Sequence, residues 1–105
     1  MKWKGLQLPG WLDQQVVRLF EILWNSRVSH GDMKATNFIV ANEQIQLIDL
    51  DAVAWHRSEK QFLSAMRKDL QRFMDNWQGQ TWSHFEQLLQ PFAKKAGITL
   101  INKKV

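Results

Sequence analysis

The sequence predicts an α+β fold, mainly helical, with a small β-hairpin between one helix and two more. Three observations predict it. Apolar residues recur at helical spacing in three separate segments. Two short β-prone runs face each other across a polar turn. Start and stop residues punctuate the intervals between these patterns.

Pro9-Gly10 opens the first element, and Leu12, Val16, Leu19, Phe20 and Leu23 then fall at i, i+4, i+7, i+8 and i+11. Gln14, Gln15, Arg18 and Glu21 lie off that stripe, so a helix is expected over about residues 12–24. Phe38-Ile39-Val40 forms one β-prone run, Ala41-Asn42-Glu43 a turn, and residues 44–48 a second strand that alternates before its apolar end. Ser58-Glu59-Lys60-Gln61 fits a capping box, in which the Ser hydroxyl and the Gln side chain satisfy each other's free N–H groups. Phe62, Met66, Leu70, Phe73 and Trp77 continue from it as a second stripe. Ser83-His84-Phe85-Glu86 gives a third start signal, followed by Phe85, Leu88, Leu89, Phe92 and Ala96. Pro91 falls inside that pattern and predicts a kink or break near Leu89-Gln90. Gly97 is the expected stop, and residues 98–105 add a short strand or fray.

At 105 residues the chain is one small domain or a piece of a larger one. Its 45% hydrophobic and 23% charged residues suit one folded core. The six Trp are scattered, as expected for packing in the core and at its rim. With no Cys, disulfides and thiolate metal sites are excluded. No apolar run approaches the roughly 18 residues of a membrane span, and Met1-Lys2-Trp3-Lys4 leads into no signal-peptide core. The expected compartment is therefore the cytoplasm. The net charge of +4 favours polyanions such as nucleotides, phosphorylated glycans and anionic lipids. Charge alone also points to nucleic acid, but no stacking motif supports it, and no nucleic-acid partner is expected.

The chemistry concentrates in His30-Gly31-Asp32-Met33-Lys34-Ala35-Thr36-Asn37 and in Leu47-Ile48-Asp49-Leu50-Asp51. Phosphoryl transfer needs a carboxylate to orient the attacking hydroxyl, oxygen ligands for Mg²⁺, and positive charge near the moving phosphate. Asp32, Asn37 and Lys34 are the residue types for those roles, and Asp49 arrives at the end of the hairpin's second strand. Taken singly, an Asp or Asn in a loop is usually a turn or cap residue. Four independent turn residues have no reason to fall together in this pattern.

The spacing His-Gly-Asp-x-Lys-x-x-Asn, then a hydrophobic hairpin and Ile-Asp-x-Asp, resembles the catalytic and metal-binding segments of the protein-kinase-like superfamily. The wider run, with Gly31 in place of the usual Arg and Asp49-Leu50-Asp51 in place of Asp-Phe-Gly, most resembles Kdo/WaaP-type lipopolysaccharide kinases and their InaA-like branch. Lys68-Asp69-Leu70-Gln71-Arg72-Phe73, with Trp77 beyond, fits the same branch. The resemblance covers about residues 11–78. It implies a kinase-like C-lobe whose hairpin carries the catalytic and metal-binding loops. It further implies that the chain is an ATP-dependent kinase, moving the γ-phosphate to a sugar hydroxyl with Mg²⁺. Asp32 would then be the base or hydroxyl-orienting group, Lys34 would steady the γ-phosphate, and Asn37 and Asp49 would hold the metal and nucleotide. His30 would be a structural residue of the loop. Asp69 either buttresses that loop through backbone N–H groups or is a plain surface residue. Asp51 either shares a strand face with Asp49 or is a solvated turn residue.

Residues 50–57 leave no room for the long segment with which a protein kinase docks a peptide. The expected acceptor is accordingly a small-molecule or glycan hydroxyl, such as a lipopolysaccharide core, which would bring contact with the inner membrane. The stretch before His30 holds one helix and its lead-in, without a glycine-rich phosphate loop. The expectation is a single C-lobe domain over residues 1–105, from a truncated or split kinase whose N-lobe is either lost or a separate partner chain. A catalytically incomplete binding module and an aminoglycoside- or choline-kinase-like enzyme remain open alternatives.

Overall fold

The computed structural model describes residues 8–103; Lys2, Lys4 and the last two residues of the tail lie outside them. The fold is α+β and mainly helical. In order it comprises α1 (Gly10–Ser26), β1 (Val28–Ser29), a 3-10 turn (Ala35–Asn37), β2 (Phe38–Ala41), β3 (Gln44–Leu47), β4 (Ala54–Trp55), α2 (Glu59–Met74) and α3 (Gly79–Ala96). β2 and β3 form the hairpin, in antiparallel register from Phe38↔Leu47 to Ala41↔Gln44. A second antiparallel pair, Val28↔Trp55 and Ser29↔Ala54, joins β1 to β4. Strands of two residues are too short for alternation to register in sequence, so this pair is a structural addition.

The stripe on α1 buries Leu12, Val16, Phe20 and Leu23. The helix ends on Arg27, whose φ of 56° is left-handed and whose N–H caps the last turn. That reversal sends β1 back toward the core. In the hairpin, Asn42 and Glu43 both have positive φ, 53° and 59°, giving a two-residue turn in which Ala41 still belongs to the strand. Gln15 Oε1 accepts the Ile45 N–H at 3.1 Å and ties the hairpin to α1.

Ser58 caps α2 by accepting the Gln61 N–H. The helix buries Phe62, Met66, Asp69, Leu70, Phe73 and Met74 and stops short of Trp77, which is buried just beyond it. α3 starts at Gly79, a full turn before the Ser83 signal. Its buried stripe begins at Trp82, and that apolar surface outweighs the local start preference, leaving Ser83 inside the helix with its hydroxyl on the Gly79 carbonyl. The expected break at Pro91 does not occur: the helix runs on to Ala96. Pro91 is exposed, while Leu89, Phe92, Ala93 and Ala96 are buried on the opposite side. Their packing offsets the one backbone bond that Pro forgoes.

Gly97 ends α3 at φ 73°, donating to Lys94, while the Ile98 N–H reaches the Ala93 carbonyl at 3.0 Å. No strand follows among the described residues. Instead Leu100 is buried and Gln71 clasps Ile101 on both sides, Nε2 to its carbonyl and Oε1 from its N–H. One aromatic-rich core joins all three helices, with Phe73 edge-on to Phe20, Phe38, Trp77 and Phe85 at 5.4–5.7 Å between ring centres. Trp77 and Trp82 lie in this core, Trp11 and Trp24 at its edge, and Trp55 in solvent. Among the described residues, no helix is long and apolar enough to cross a membrane.

Candidate phosphoryl-transfer site

The loop joining β1 to β2 is hung at two points, from α2 and from the turn that follows it. Asp69 faces it from within the core, only 2% exposed. Its Oδ2 accepts the His30 N–H at 2.8 Å and its Oδ1 the Gly31 N–H at 2.9 Å. Burial pushes the Asp69 carboxyl above its ordinary value, and those two amides offset the shift only in part. Two helical turns further on, Asn76 Oδ1 accepts the Ala35 N–H at 2.8 Å and Nδ2 donates to the Met33 carbonyl at 2.8 Å. One side-chain amide thus brackets Lys34. Between these anchors Met33 plugs the core, fully buried.

Gly31 is required where the loop meets the link from β3 to β4. Its φ is 88°, and a Cβ there would lie 2.7 Å from both the Cβ and the carbonyl oxygen of Ala52. His30 is 1% exposed and bonded at both ring nitrogens. Nε2 donates to the Ile48 carbonyl at 3.1 Å, while Nδ1 accepts the Asp32 N–H at 3.2 Å. A backbone N–H can only donate, so the proton sits on Nε2. The imidazole is therefore a strut between the loop and the end of the hairpin.

Asn37 closes the loop. Its Nδ2 donates to the Asp32 carbonyl at 2.9 Å, and its own carbonyl accepts the Ile48 N–H at 2.9 Å. The amide nitrogen is committed, which leaves Oδ1 as the side-chain atom able to take a cation. Ile48 is held on both sides, by Asn37 and by His30, and Asp49 follows with a left-handed φ of 56° and an exposed side chain. β3 has ended at Leu47, so Asp51 does not share a strand face with Asp49; it lies exposed in a turn. Lys34 Nζ is 3.4 Å from Asp32 Oδ2, with both side chains partly exposed, so the pair adds little to stability and leaves both groups available.

Lys34 is thus joined to Asp32 by its ion pair and Asn37 by its bond to the Asp32 carbonyl, while Asp49 follows Ile48, which the loop holds on both sides. Among the described residues no three His, Cys, Asp or Glu side chains are grouped to hold a metal by themselves. One amide oxygen and one carboxylate suit Mg²⁺, which usually completes its shell with water and substrate phosphates. Asn76 went unread in the sequence; it lies in the turn just past α2, two residues beyond Met74. Ser29 and His56, 2.7 Å apart between Oγ and Nε2, secure the β1–β4 pair behind the loop and carry no sequence signal.

Beside Asp32 opens a groove of about 590 Å³, bordered by Gly31, Ser64, Lys68, Arg72 and Lys103 among others. No protein-family model, curated protein or solved structure matches this chain.

Proposed function

We propose that this chain forms the transfer side of an ATP-dependent kinase, a C-lobe of the kind found in Kdo/WaaP-type lipopolysaccharide kinases, acting on a sugar hydroxyl. The observation that carries the reading is the suspended loop. Asp69 and Asn76 fix its backbone, Asn37 holds the Asp32 carbonyl, and His30 ties the loop to the residue before Asp49. Such bonding spends the backbone groups on support and leaves the Asp32, Lys34 and Asp49 side chains, with Asn37 Oδ1, free for chemistry.

Bound Mg²⁺–ATP would supply the electrophilic phosphorus, held through Asn37 Oδ1 and the Asp49 carboxylate. The Asp32 carboxylate would orient the acceptor hydroxyl and take its proton as the γ-phosphoryl group passes from the ADP oxygen, which leaves, to the acceptor oxygen. Lys34, bracketed by Asn76, places its ammonium against the charge carried by the transferred group. The short link after Asp49 supports a non-peptide acceptor. β4 pairs back onto β1 almost at once, and Ser58 then caps α2, so residues 50–57 are used in closing the fold.

Calorimetric titration of MgADP into the chain tests this reading. Binding should need Mg²⁺, and Asp49→Asn, which keeps a residue tolerant of left-handed φ but removes the charge, should weaken it by ~10-fold or more. Equal affinity with and without Mg²⁺, or in Asp49→Asn, would sink the metal and nucleotide assignment.

A further inference from the structure

α2 has a second face that the transfer chemistry leaves unused. One side buries Phe62, Met66, Leu70 and Phe73. The other borders the groove beside Asp32, where Arg67, Lys68, Arg72 and Lys103 supply cations against the carboxylates Asp32, Asp69 and Asp75. Two of those carboxylates lie beside cations of their own, Asp32 loosely enough to stay available. Asp69 is occupied by two loop amides, Asp75 is paired with Lys103 at 3.3 Å, and Asp32 lies 3.4 Å from Lys34. Arg67 and Arg72 bond neutral groups, the Ala96 carbonyl at 2.8 Å and Asn76 Oδ1 at 3.4 Å, so Asp69 is the one carboxylate left to offset their two charges. Lys68, exposed on the same face, adds a third cation. At about 590 Å³ the groove falls within the ordinary size of small-molecule sites, and Ile98 gives it an apolar patch.

We infer that this groove seats the acceptor and that the acceptor carries an anionic group, a phosphate or carboxylate, which Lys68 and the two arginines hold while its hydroxyl faces Asp32. The inference rests on the kinase reading for the hydroxyl's fate, but the anion preference stands on the groove alone. Arg67 and Arg72 are anchored at one guanidinium nitrogen each, which presets their orientation. An anion there completes the positive charge that the fold leaves unmatched.

Titration of glucose 6-phosphate, glucuronate, glucose and inorganic phosphate into the whole chain, followed by NMR shifts of the Gly31, Lys68 and Arg72 amides, provides the test. An anionic sugar should bind ~10-fold or more tightly than glucose, and Lys68→Glu should remove that advantage. Lys60→Glu, the same charge change near the start of α2 and outside the groove, should leave it intact. A preference for glucose 6-phosphate identifies the anion as phosphate, and one for glucuronate as carboxylate. Binding of glucose as tight as that of the anionic sugars overturns the inference. So does inorganic phosphate matching the sugar phosphate, an equal loss in Lys60→Glu, or displacement of the sugar by MgADP. If MgADP fails to bind while the anionic sugar does, the kinase reading falls and the groove's preference survives.

Discussion

Replacing Asp69 with Ala strips the catalytic-type loop of its upper support while touching none of the four side chains assigned to transfer. Two amides lose their acceptor: His30, whose bond is buried, and Gly31, whose bond is partly so. Each buried donor left unpaired costs about 1–3 kcal/mol. Against that, the variant no longer desolvates a carboxylate, a cost visible in the upward shift of the Asp69 pKa. A net loss of about 2–4 kcal/mol is expected, a large share of a small domain's stability. Urea unfolding followed by Trp fluorescence measures it. Asp69→Asn keeps one acceptor and should lose about half as much. The pH dependence separates charge from hydrogen bonding. Unfolded Asp69 titrates near 3.8 and the folded carboxyl higher, so within that interval the folded state binds more protons. The carboxyl's contribution is therefore fully present below 3.8 and is lost as pH rises through the folded value. Wild-type stability minus that of Asp69→Asn should fall across this window and then level off. A difference that rises with pH there, or an Asp69→Ala variant within about 1 kcal/mol of wild type, would refute the reasoning.

Gly31→Ala combines a left-handed φ of 88° with a Cβ 2.7 Å from Ala52, and should lower stability by more than about 2 kcal/mol in urea unfolding. Adding Ala52→Gly should recover part of that loss but not all, because the Ala52 carbonyl oxygen stays 2.7 Å away. Pro91→Ala should raise the thermal midpoint, corresponding to roughly 1–3 kcal/mol, by restoring an N–H to α3 without disturbing the buried stripe; a lower midpoint would show that the ring contributes packing. The nucleotide titration of Asp49→Asn and the sugar titration of Lys68→Glu complete the set.

What could be read in the sequence was whatever a single element decides for itself. Leu12, Val16, Phe20 and Leu23 announce α1 because helical burial has a period, and Ser58 and Gly97 mark helix ends because caps act over a few residues. Ser83 misleads for the same reason: it signals a start locally, while the burial of Trp82 is settled by packing against the rest of the core. The β1–β4 pair could not be read, since two-residue strands have no pattern and their pairing is a long-range event. In the site, the residue types from His30 to Asn37 and at Asp49 were legible as a constellation. Their supports were not. Asn76 lies 41 and 43 positions from Ala35 and Met33, and a lone Asn past a helix reads as an end signal. The positive φ of Asp49 is likewise a product of Ile48 being held from both sides.

The two anchor points, on α2 and just past its end, also decide how the molecule comes apart. An eight-residue stretch with a single 3-10 turn would ordinarily open by itself, at little cost, far below the global unfolding threshold. Here its amides and a carbonyl end on Asp69, within α2, and on Asn76 in the turn after it, and α2 is welded into the core by Phe62, Phe73 and Leu70. To fray, the loop must either strand those groups or carry the helix with it. The loop and α2 therefore form one cooperative unit, and the loop inherits the persistence of the helix that holds it.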